Sequence, residues 1–216
     1  MCGRFARSRY DHPWLENLDP DVWPPRWNQA PGTPALVFGC NAQGEPAPAS
    51  LFWGFQPRWM KDGKAQINAR SERVAQAPMF RQAFAAKRCV IPADGFYEWH
   101  NGPGGKQPHF IRQRDNRPLF MAGIWARLPE PRAGVDHGFA ILTTAAGPDI
   151  VGLHHRQPVL LDDDQLLPWL DVQTPAEQLL ACCRPSPPNK LESWPVSKAV
   201  NQASKDGPEL VEAIQQ

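Results

Sequence analysis

The sequence has no C-x-x-C pair, no long uninterrupted apolar run and almost no net charge, and each absence removes a class of protein. Its five cysteines are odd in number and lack metal-ligand spacing, so we expect no disulfide framework, no zinc site and no cofactor. Without a charged leader followed by an apolar stretch, the sequence predicts a cytoplasmic protein outside the membrane. A formal net charge of +1 excludes a strong whole-molecule field for polyanions, so any affinity for nucleic acid must come from a local basic surface.

Proline and tryptophan, in contrast, are abundant, with 25 and nine residues in a chain of 216. Because proline is excluded from helix interiors and central strands, this content favours a loop-rich or β-rich architecture. Neither an internal repeat nor a linker-like change of composition divides the chain, so we expect a single domain over residues 1–216, with a polar tail from about residue 202. The predicted fold is α+β, with a mainly antiparallel, barrel-like β-sheet flanked by short helices.

Apolar periodicity and turn residues predict the elements along the chain. Predicted helices occupy residues 11–18, 71–87 with an interruption at Pro78, 162–170 and 175–183. Predicted strands occupy residues 35–40 and 49–55, joined as a hairpin, then 66–70, two pieces within 88–99, 108–112, 119–125, 139–144, 159–161 and 194–196. Residues 19–34 and 129–137 are predicted to be irregular.

The first four residues, Met1-Cys2-Gly3-Arg4, carry the most unusual chemistry. Removal of Met1 would leave the α-amine and the thiol of Cys2 on one residue, a 1,2-aminothiol. The amine of such a pair condenses with an aldehyde to an imine, and the thiol then adds to the imine carbon to close a five-membered thiazolidine. The reference pKa is about 7.7–8.0 for an α-amine and about 8.5 for a cysteine thiol. The alternative is that Cys2 is accidental and lies in a disordered terminus.

Two further positions are candidates for proton transfer. Glu98 lies among aromatic residues in a predicted strand, where desolvation raises a carboxylate pKa towards the range useful in acid–base catalysis; an edge-strand glutamate facing water is the alternative. His154 and His155 are adjacent, and residues that follow one another on a strand face opposite ways, so at most one is expected to face a given pocket.

Asn68 and Arg70 lie two residues apart in a predicted strand, which places an amide and a guanidinium on one face. That pair suits a site for a sugar or a phosphate. Arg4, Arg70 and Arg156 are each candidates for bidentate phosphate contacts, with scattered solvated arginine as the alternative.

Taken together, these residues resemble one family, the SOS response-associated peptidase (SRAP) domain proteins, which include bacterial abasic-site processing proteins. The resemblance covers nearly the whole chain. Its landmarks occur in order: Cys2-Gly3-Arg4-Phe5, Trp27-Asn28-Gln29-Ala30-Pro31, Trp53-Gly54 with Pro57 and Trp59, Ile67-Asn68-Ala69-Arg70-Ser71-Glu72, residues 88–99, Ala122-Gly123-Ile124-Trp125, Leu142-Thr143-Thr144, His154-x-Arg156-x-Pro158 and Val196-Ser197.

The resemblance implies that Cys2, after Met1 removal, forms a thiazolidine with the aldehyde of an abasic site in single-stranded DNA and so protects the lesion in the SOS response. It implies that Asn68 and Glu98 line the Cys2 pocket, and that His154 assists sugar ring opening and proton transfer. Self-processing at Met1, as a peptidase, and lyase-like cleavage of abasic DNA belong to the same expectation.

For DNA binding, the resemblance implies phosphate contacts from Arg4, Arg70 and Arg156. It also implies a surface for splayed or stacked bases, made of Pro31, Trp59 and Trp99. Expected partners are single-stranded DNA with abasic sites and replication-fork proteins, with a monomeric protein associated with the nucleoid when bound. Gln157 and Pro78 depart from the family's pattern, which weakens the expectation for DNA affinity.

Two other functions fit parts of the sequence. N-terminal-nucleophile glutamine amidotransferases also expose an N-terminal Cys-Gly and use the thiol to attack an amide. A plain single-strand binding module, in which Cys2 is incidental, is the third reading, and the small net charge makes it less attractive.

Overall fold

In the computed structural model, which describes residues 2–102 and 104–214, five long strands form a closed barrel. The strands of the barrel are β3 (Pro34–Cys40), β4 (Pro46–Trp53), β6 (Arg88–Ala93), β9 (Leu119–Arg132) and β10 (Val135–Ala145). Their order is β10-β4-β3-β6-β9, and pairing of β9 with β10 closes the ring. All neighbours are antiparallel except β4 and β10, so the predicted mainly antiparallel barrel is confirmed.

Short strands extend the barrel on either side of its closure. β5 (Asn68–Arg70) pairs in parallel with β10, β11 (Arg156–Pro158) pairs antiparallel with β10, and β12 (Leu160–Leu161) pairs with β9. The chain therefore leaves the edge of β10 at the end of β4 and returns to the same edge at β5. The backbone NH of Gly54 donates to Phe139 O at 2.9 Å, and that of Ile141 donates to Ile67 O at 3.1 Å.

A second, five-stranded antiparallel sheet has the order β13-β8-β7-β1-β2. Its strands are β1 (Phe5–Arg7), β2 (Arg26–Gln29), β7 (Gly95–Gly102), β8 (Gly105–Gln113) and β13 (Leu191–Pro195). Phe5, Phe96 and Ile111 of this sheet are buried in the same apolar cluster as Trp53 and Phe139 of the barrel. The two sheets thus share a core, which makes the chain one domain.

The helices are short and cover the opposite face of the barrel strands. They are α1 (Ser71–Val74), α2 (Arg81–Ala86), α3 (Asp163–Leu170) and α4 (Ala176–Ala181). Phe84 of α2 and Trp169 of α3 pack in one cluster with Phe38, Val90 and Leu142 from the barrel. Alternate residues of β3, β6, β9 and β10 therefore face either the helices or the second sheet, as the period-2 geometry of a strand requires.

At residues 11–18 and 129–137 the sequence predictions of local structure were wrong. Residues 11–18 form turns and no α-helix: the NH groups of Leu15 and Glu16 both donate to His12 O, and that of Leu18 donates to Leu15 O. An isolated helix as short as this is marginal, so the segment stays a series of turns. Residues 129–137, predicted to be irregular, belong mostly to the β9–β10 hairpin. Its tight turn is Ala133-Gly134, both at positive φ.

The predicted irregular segment 19–34 contains the short strand β2, and the chain after residue 202 folds back against it. Asp206 Oδ1 accepts the backbone NH of Trp27 at 2.6 Å and that of Asn28 at 3.0 Å. Leu210, in the 3-10 helix Pro208–Val211, is fully buried. The C-terminal segment thereby covers β2 beside β1, the strand that carries the N-terminus.

Candidate functional site

The start of the chain is fixed to the second sheet by Asp94, in the turn between β6 and β7. Its carboxylate accepts from Ser8 N at 2.8 Å, Ser8 Oγ at 2.6 Å and Arg9 N at 3.2 Å, while its own NH donates to Ala6 O at 2.7 Å. β1 then pairs with β7, and Tyr97 N donates to Arg4 O at 3.0 Å. The unusual segment 88–99 therefore acts as the clamp that holds the N-terminal residues in place.

Cys2 lies inside the core. It is fully buried, in the apolar cluster that contains Phe5, Trp53 and Ile141, and its Sγ lies 3.7 Å from Arg4 O. The alternative of a disordered terminus is wrong from residue 2 onward. Met1, whose removal the sequence predicts, lies outside the described residues.

Asn68 holds the backbone of Cys2. It lies at the start of β5, opposite Ile141 of β10, and its Nδ2 donates to Cys2 O at 2.9 Å. Its Oδ1 is shielded from solvent and has no hydrogen-bond partner within residues 2–102 and 104–214. The amide thus uses its donor on Cys2 and keeps an acceptor in the same buried space.

Glu98 is a buried carboxylate beside Cys2. It is 2% exposed on β7, and burial raises its pKa above the usual range of a glutamate. Burial, followed by the negative charge of Glu98, raises the pKa of the Cys2 thiol as well. The thiol is therefore neutral at neutral pH, which favours chemistry started by an amine over chemistry started by a thiolate.

The two histidines precede β11 in a turn, so the expectation that they face opposite sides of a strand was wrong. Their rings stack at 4.4 Å with an interplanar angle of 25°. His154 Nδ1 lies 2.9 Å from Arg156 N and 3.0 Å from Arg156 O, and these contacts orient the imidazole ring. Burial lowers the pKa of His154, and the neighbouring His154 lowers that of the exposed His155, so both rings are neutral at pH 7.

Arg156 is held within the protein. It is 9% exposed, its Nη1 and Nη2 donate to the two carboxylate oxygens of Glu72 at 2.5 and 2.9 Å, and Nη2 also donates to Thr143 O at 2.6 Å. This bidentate pair ties the start of α1 to β10 and β11, and the hydrogen bond from Arg156 lowers the pKa of Glu72. Glu72 therefore supports the backbone that orients His154.

The other two arginine candidates differ in their exposure. Arg4 is half-buried, and its Nη1 donates to Asn28 Oδ1 at 2.8 Å and to Val200 O at 2.6 Å. Arg70, at the end of β5, is exposed to solvent. Of the three, Arg70 presents the most open guanidinium beside the Asn68 edge of the barrel.

The aromatic candidates lie on separate elements. Trp59 is 61% exposed in the excursion between β4 and β5, which begins and ends on the β10 edge next to Asn68. Trp99 follows Glu98 on β7, is half-buried, and donates from Nε1 to Asn201 Oδ1 at 2.8 Å. Pro31 is half-buried in the turn before β3. Trp59 is therefore the most open flat surface among them.

Sequence reasoning missed the supporting residues Glu72, Asp94 and Asn28. All three lie within the family landmarks, but their partners are 84, 86 and 24 residues away in sequence, so no local pattern indicates the contacts. Gln157, which departs from the family pattern, is fully buried: its Oε1 accepts from Gly147 N at 2.7 Å and its Nε2 donates to Ser186 Oγ at 2.6 Å. Gln157 therefore stabilises the folded core, and its buried side chain cannot contact a DNA strand.

The part of the chain that the structure describes contains no group of three or more His, Cys, Asp or Glu side chains arranged to hold a metal ion. Across the same residues, no helix combines the length and the apolar character needed to span a bilayer.

Comparison with known proteins places this geometry in context. The family model of the SOS response associated peptidase (SRAP) matches residues 1–203. The abasic site processing protein YedK of Escherichia coli is 33% identical over 99% of this chain and 100% of its own, and the abasic site processing protein YoqW of Bacillus subtilis is 31% identical over 99% and 100%. A crystal structure of a protein from Bacteroides thetaiotaomicron superimposes with a TM-score of 0.75 at 19% identity, covering 97% of this chain and 92% of that one, which is a likeness of fold.

Proposed function

The chain belongs to the SOS response associated peptidase (SRAP) family, and from this membership we propose that it processes abasic sites in single-stranded DNA, by forming a thiazolidine at Cys2 once Met1 is removed. Relatives named abasic site processing proteins support the substrate class. The observation that carries the chemistry is the burial of Cys2 beside Glu98, a carboxylate whose pKa is raised by burial. The backbone carbonyl of Cys2 accepts a hydrogen bond from Asn68 Nδ2 at 2.9 Å.

In the first step, the free α-amine of Cys2 attacks the aldehyde carbon of the ring-opened deoxyribose. The carbinolamine loses one water to give an imine. Glu98 takes the proton that the α-ammonium must release, since its raised pKa brings the carboxylate closer to the amine in basicity. His154, neutral at pH 7 and oriented by the Arg156 backbone, assists ring opening of the sugar by proton transfer.

In the second step, the Cys2 thiol adds to the imine carbon. A bond forms from Sγ to carbon, and the thiol proton passes to the nitrogen, so the overall change is loss of one water from protein plus aldehyde. A neutral, buried thiol suits this step, because the imine carbon is already activated and no free thiolate is required. The thiol-nucleophile chemistry of an amidotransferase gains no comparable support from a thiol of raised pKa.

The proposed DNA contacts are assigned from the exposure of the candidate side chains. Arg70 contributes a phosphate contact next to Asn68, and Trp59 with Pro31 and Trp99 supplies the surface for flanking bases. Arg4 and Arg156 also belong to the proposed phosphate contacts, and each shares its donors with partners in the protein.

Two further activities belong to the same proposal. Release of Met1 by the chain itself is a peptidase reaction at the Cys2 site. Lyase-like cleavage proceeds through the imine when the thiol does not close the ring.

The test uses the Met1-processed protein and a single-stranded oligonucleotide with one abasic site. A product that survives denaturing electrophoresis is expected from the wild type, and none from Cys2→Ala in the absence of reductant. Cys2→Ala keeps an α-amine, so borohydride should trap its imine and reveal the lyase route. Equal stable product from Cys2→Ala would overturn the thiazolidine, and glutaminase activity without DNA would favour the amidotransferase reading.

A further inference from the structure

A cavity whose polar lining is separate from the Cys2 site lies where β1 and β2 meet the start of β3. Its polar lining comes from Arg7, Arg26, Gln29 and Ser50, and Trp23 contributes a flat apolar wall. Among the residues that the structure describes, no aspartate or glutamate lines it. The cavity is therefore basic on one side and aromatic on the other.

Arg7 is an unusual residue to find at such a place, because its side chain is almost fully buried. The residue is 5% exposed, its Nη2 donates to Trp23 O at 2.8 Å and also to Pro24 O, and its guanidinium lies 5.3 Å from the centre of the Tyr10 ring. Its Nη1 is shielded from solvent and has no hydrogen-bond partner in residues 2–102 and 104–214. A buried donor left in this way destabilises the protein, because it has given up its hydrogen bonds to water.

The charge of Arg7 is also uncompensated. The ion pairs within the described ranges include none between Arg7 and a carboxylate, although seven other arginine, lysine or histidine side chains have one. Buried charges in proteins are normally paired, because removing an ion from water carries a large penalty. An anion in the cavity would compensate this charge.

A second guanidinium lies across the strand pair. Arg26 is the register partner of Arg7 in β1 and β2, its side chain is 56% exposed, and its Nη1 donates to Asp206 at 3.0 Å. Its Nε and Nη2 have no partner in the described part of the chain. Two guanidiniums near one cavity match a phosphate better than a singly charged carboxylate, and guanidinium geometry favours bidentate contacts to phosphate oxygens.

We propose that this cavity binds the phosphate of a nucleotide, with Arg7 and Arg26 on the phosphate and Trp23 against the base. Stacking on a tryptophan accepts any base, because every base has a flat π-face. Two sources supply this chemistry: a free nucleoside monophosphate, or a nucleotide of a bound DNA strand. The groups proposed to contact the ligand, Arg7, Arg26 and Trp23, have no part in the proposed crosslinking, so the site stands or falls apart from it.

The experiment is a calorimetric titration of the full-length protein with thymidine 5′-monophosphate, thymidine and inorganic phosphate. Saturable binding of the monophosphate is expected, weaker binding of phosphate, and none of thymidine. Arg7→Gln should weaken monophosphate binding at least tenfold, a loss typical of one charged hydrogen-bonding pair. Arg81→Gln, a change at an exposed arginine of α2, is the matched control and should bind as the wild type.

Trp23→Leu keeps both arginines and provides an independent test if Arg7→Gln does not fold. This variant should bind the monophosphate more weakly and inorganic phosphate as tightly as the wild type. Competition by an undamaged oligonucleotide that depends on Arg7 identifies a strand nucleotide as the source. Saturable monophosphate binding without such competition identifies the free nucleotide. No saturable binding of monophosphate or oligonucleotide, or equal binding by wild type and Arg7→Gln, would overturn the proposal.

Discussion

Replacing Asn68 with alanine tests how the protein positions its reactive residue. The change removes one hydrogen bond, from Nδ2 to Cys2 O at 2.9 Å, and leaves Cys2 in its apolar cluster. A hydrogen bond of this kind contributes about 0.5–1.5 kcal/mol net, so the rate of crosslinking to an abasic oligonucleotide should fall about twofold to tenfold. Asn68→Asp should be slower still, because it places a carboxylate oxygen against the Cys2 carbonyl and a second negative charge near Glu98.

The assay is single-turnover crosslinking with protein in excess, followed by denaturing electrophoresis, with Gln43→Ala in the exposed β3–β4 turn as the control. Melting temperatures measured in parallel separate a positioning effect from unfolding. A rate for Asn68→Ala equal to that of the control, or an Asn68→Asp protein faster than Asn68→Ala, would refute the positioning role.

Three other predictions follow from the same structure. Because burial raises the pKa of Glu98, wild-type crosslinking should lose rate, as pH falls, at a pH above the value of about 4.3 that is typical of glutamate. Glu98→Gln should be slow and should lack this acidic limb in a pH–rate profile. Arg156 lowers the pKa of Glu72, so the stability that this half-exposed pair contributes is present above pH ~4.3 and is lost as pH falls through the lowered pKa. In chemical denaturation, Glu72→Gln should therefore lower the free energy of unfolding by about 0.5–1 kcal/mol at pH 7 and by almost nothing in acid. A cost that persists in acid would contradict it. Trp59→Ala should change the free energy of unfolding by less than about 0.5 kcal/mol, because the side chain is 61% exposed. The same change should weaken binding to single-stranded DNA by about 1–3 kcal/mol, as measured by fluorescence anisotropy. Unchanged affinity would show that Trp59 lies outside the interface.

Local signals in the sequence predicted local structure well. The Asn41–Gly44 turn joins β3 and β4 as expected, with Gly44 at positive φ, and the acidic start at Asp162 forms a capping box with Gln165. The hairpin at Ala133-Gly134 was missed because two prolines before it favoured an irregular segment. The parallel pairings of β4 and of β5 with β10 join residues that are far apart in sequence, and such pairings leave no periodic signal.

The candidate site, like the fold, was predictable from the sequence only in part. An N-terminal aminothiol and a carboxylate among aromatics are visible in the sequence because their chemistry depends on the residue types alone. Which partner each arginine takes depends on the fold: Arg156 pairs with Glu72, whereas Arg70 stays exposed. The buried, uncompensated Arg7 carries no sequence signal, since nothing in β1 distinguishes it from a solvated arginine.

The central claim is tested most directly by the intact mass of the Met1-processed protein after incubation with an abasic single-stranded oligonucleotide. A thiazolidine predicts one adduct, at the mass of protein plus DNA minus one water, stable to denaturant and mapped to Cys2 by peptide sequencing. No adduct with the processed protein, or an adduct at any other residue, would contradict the account.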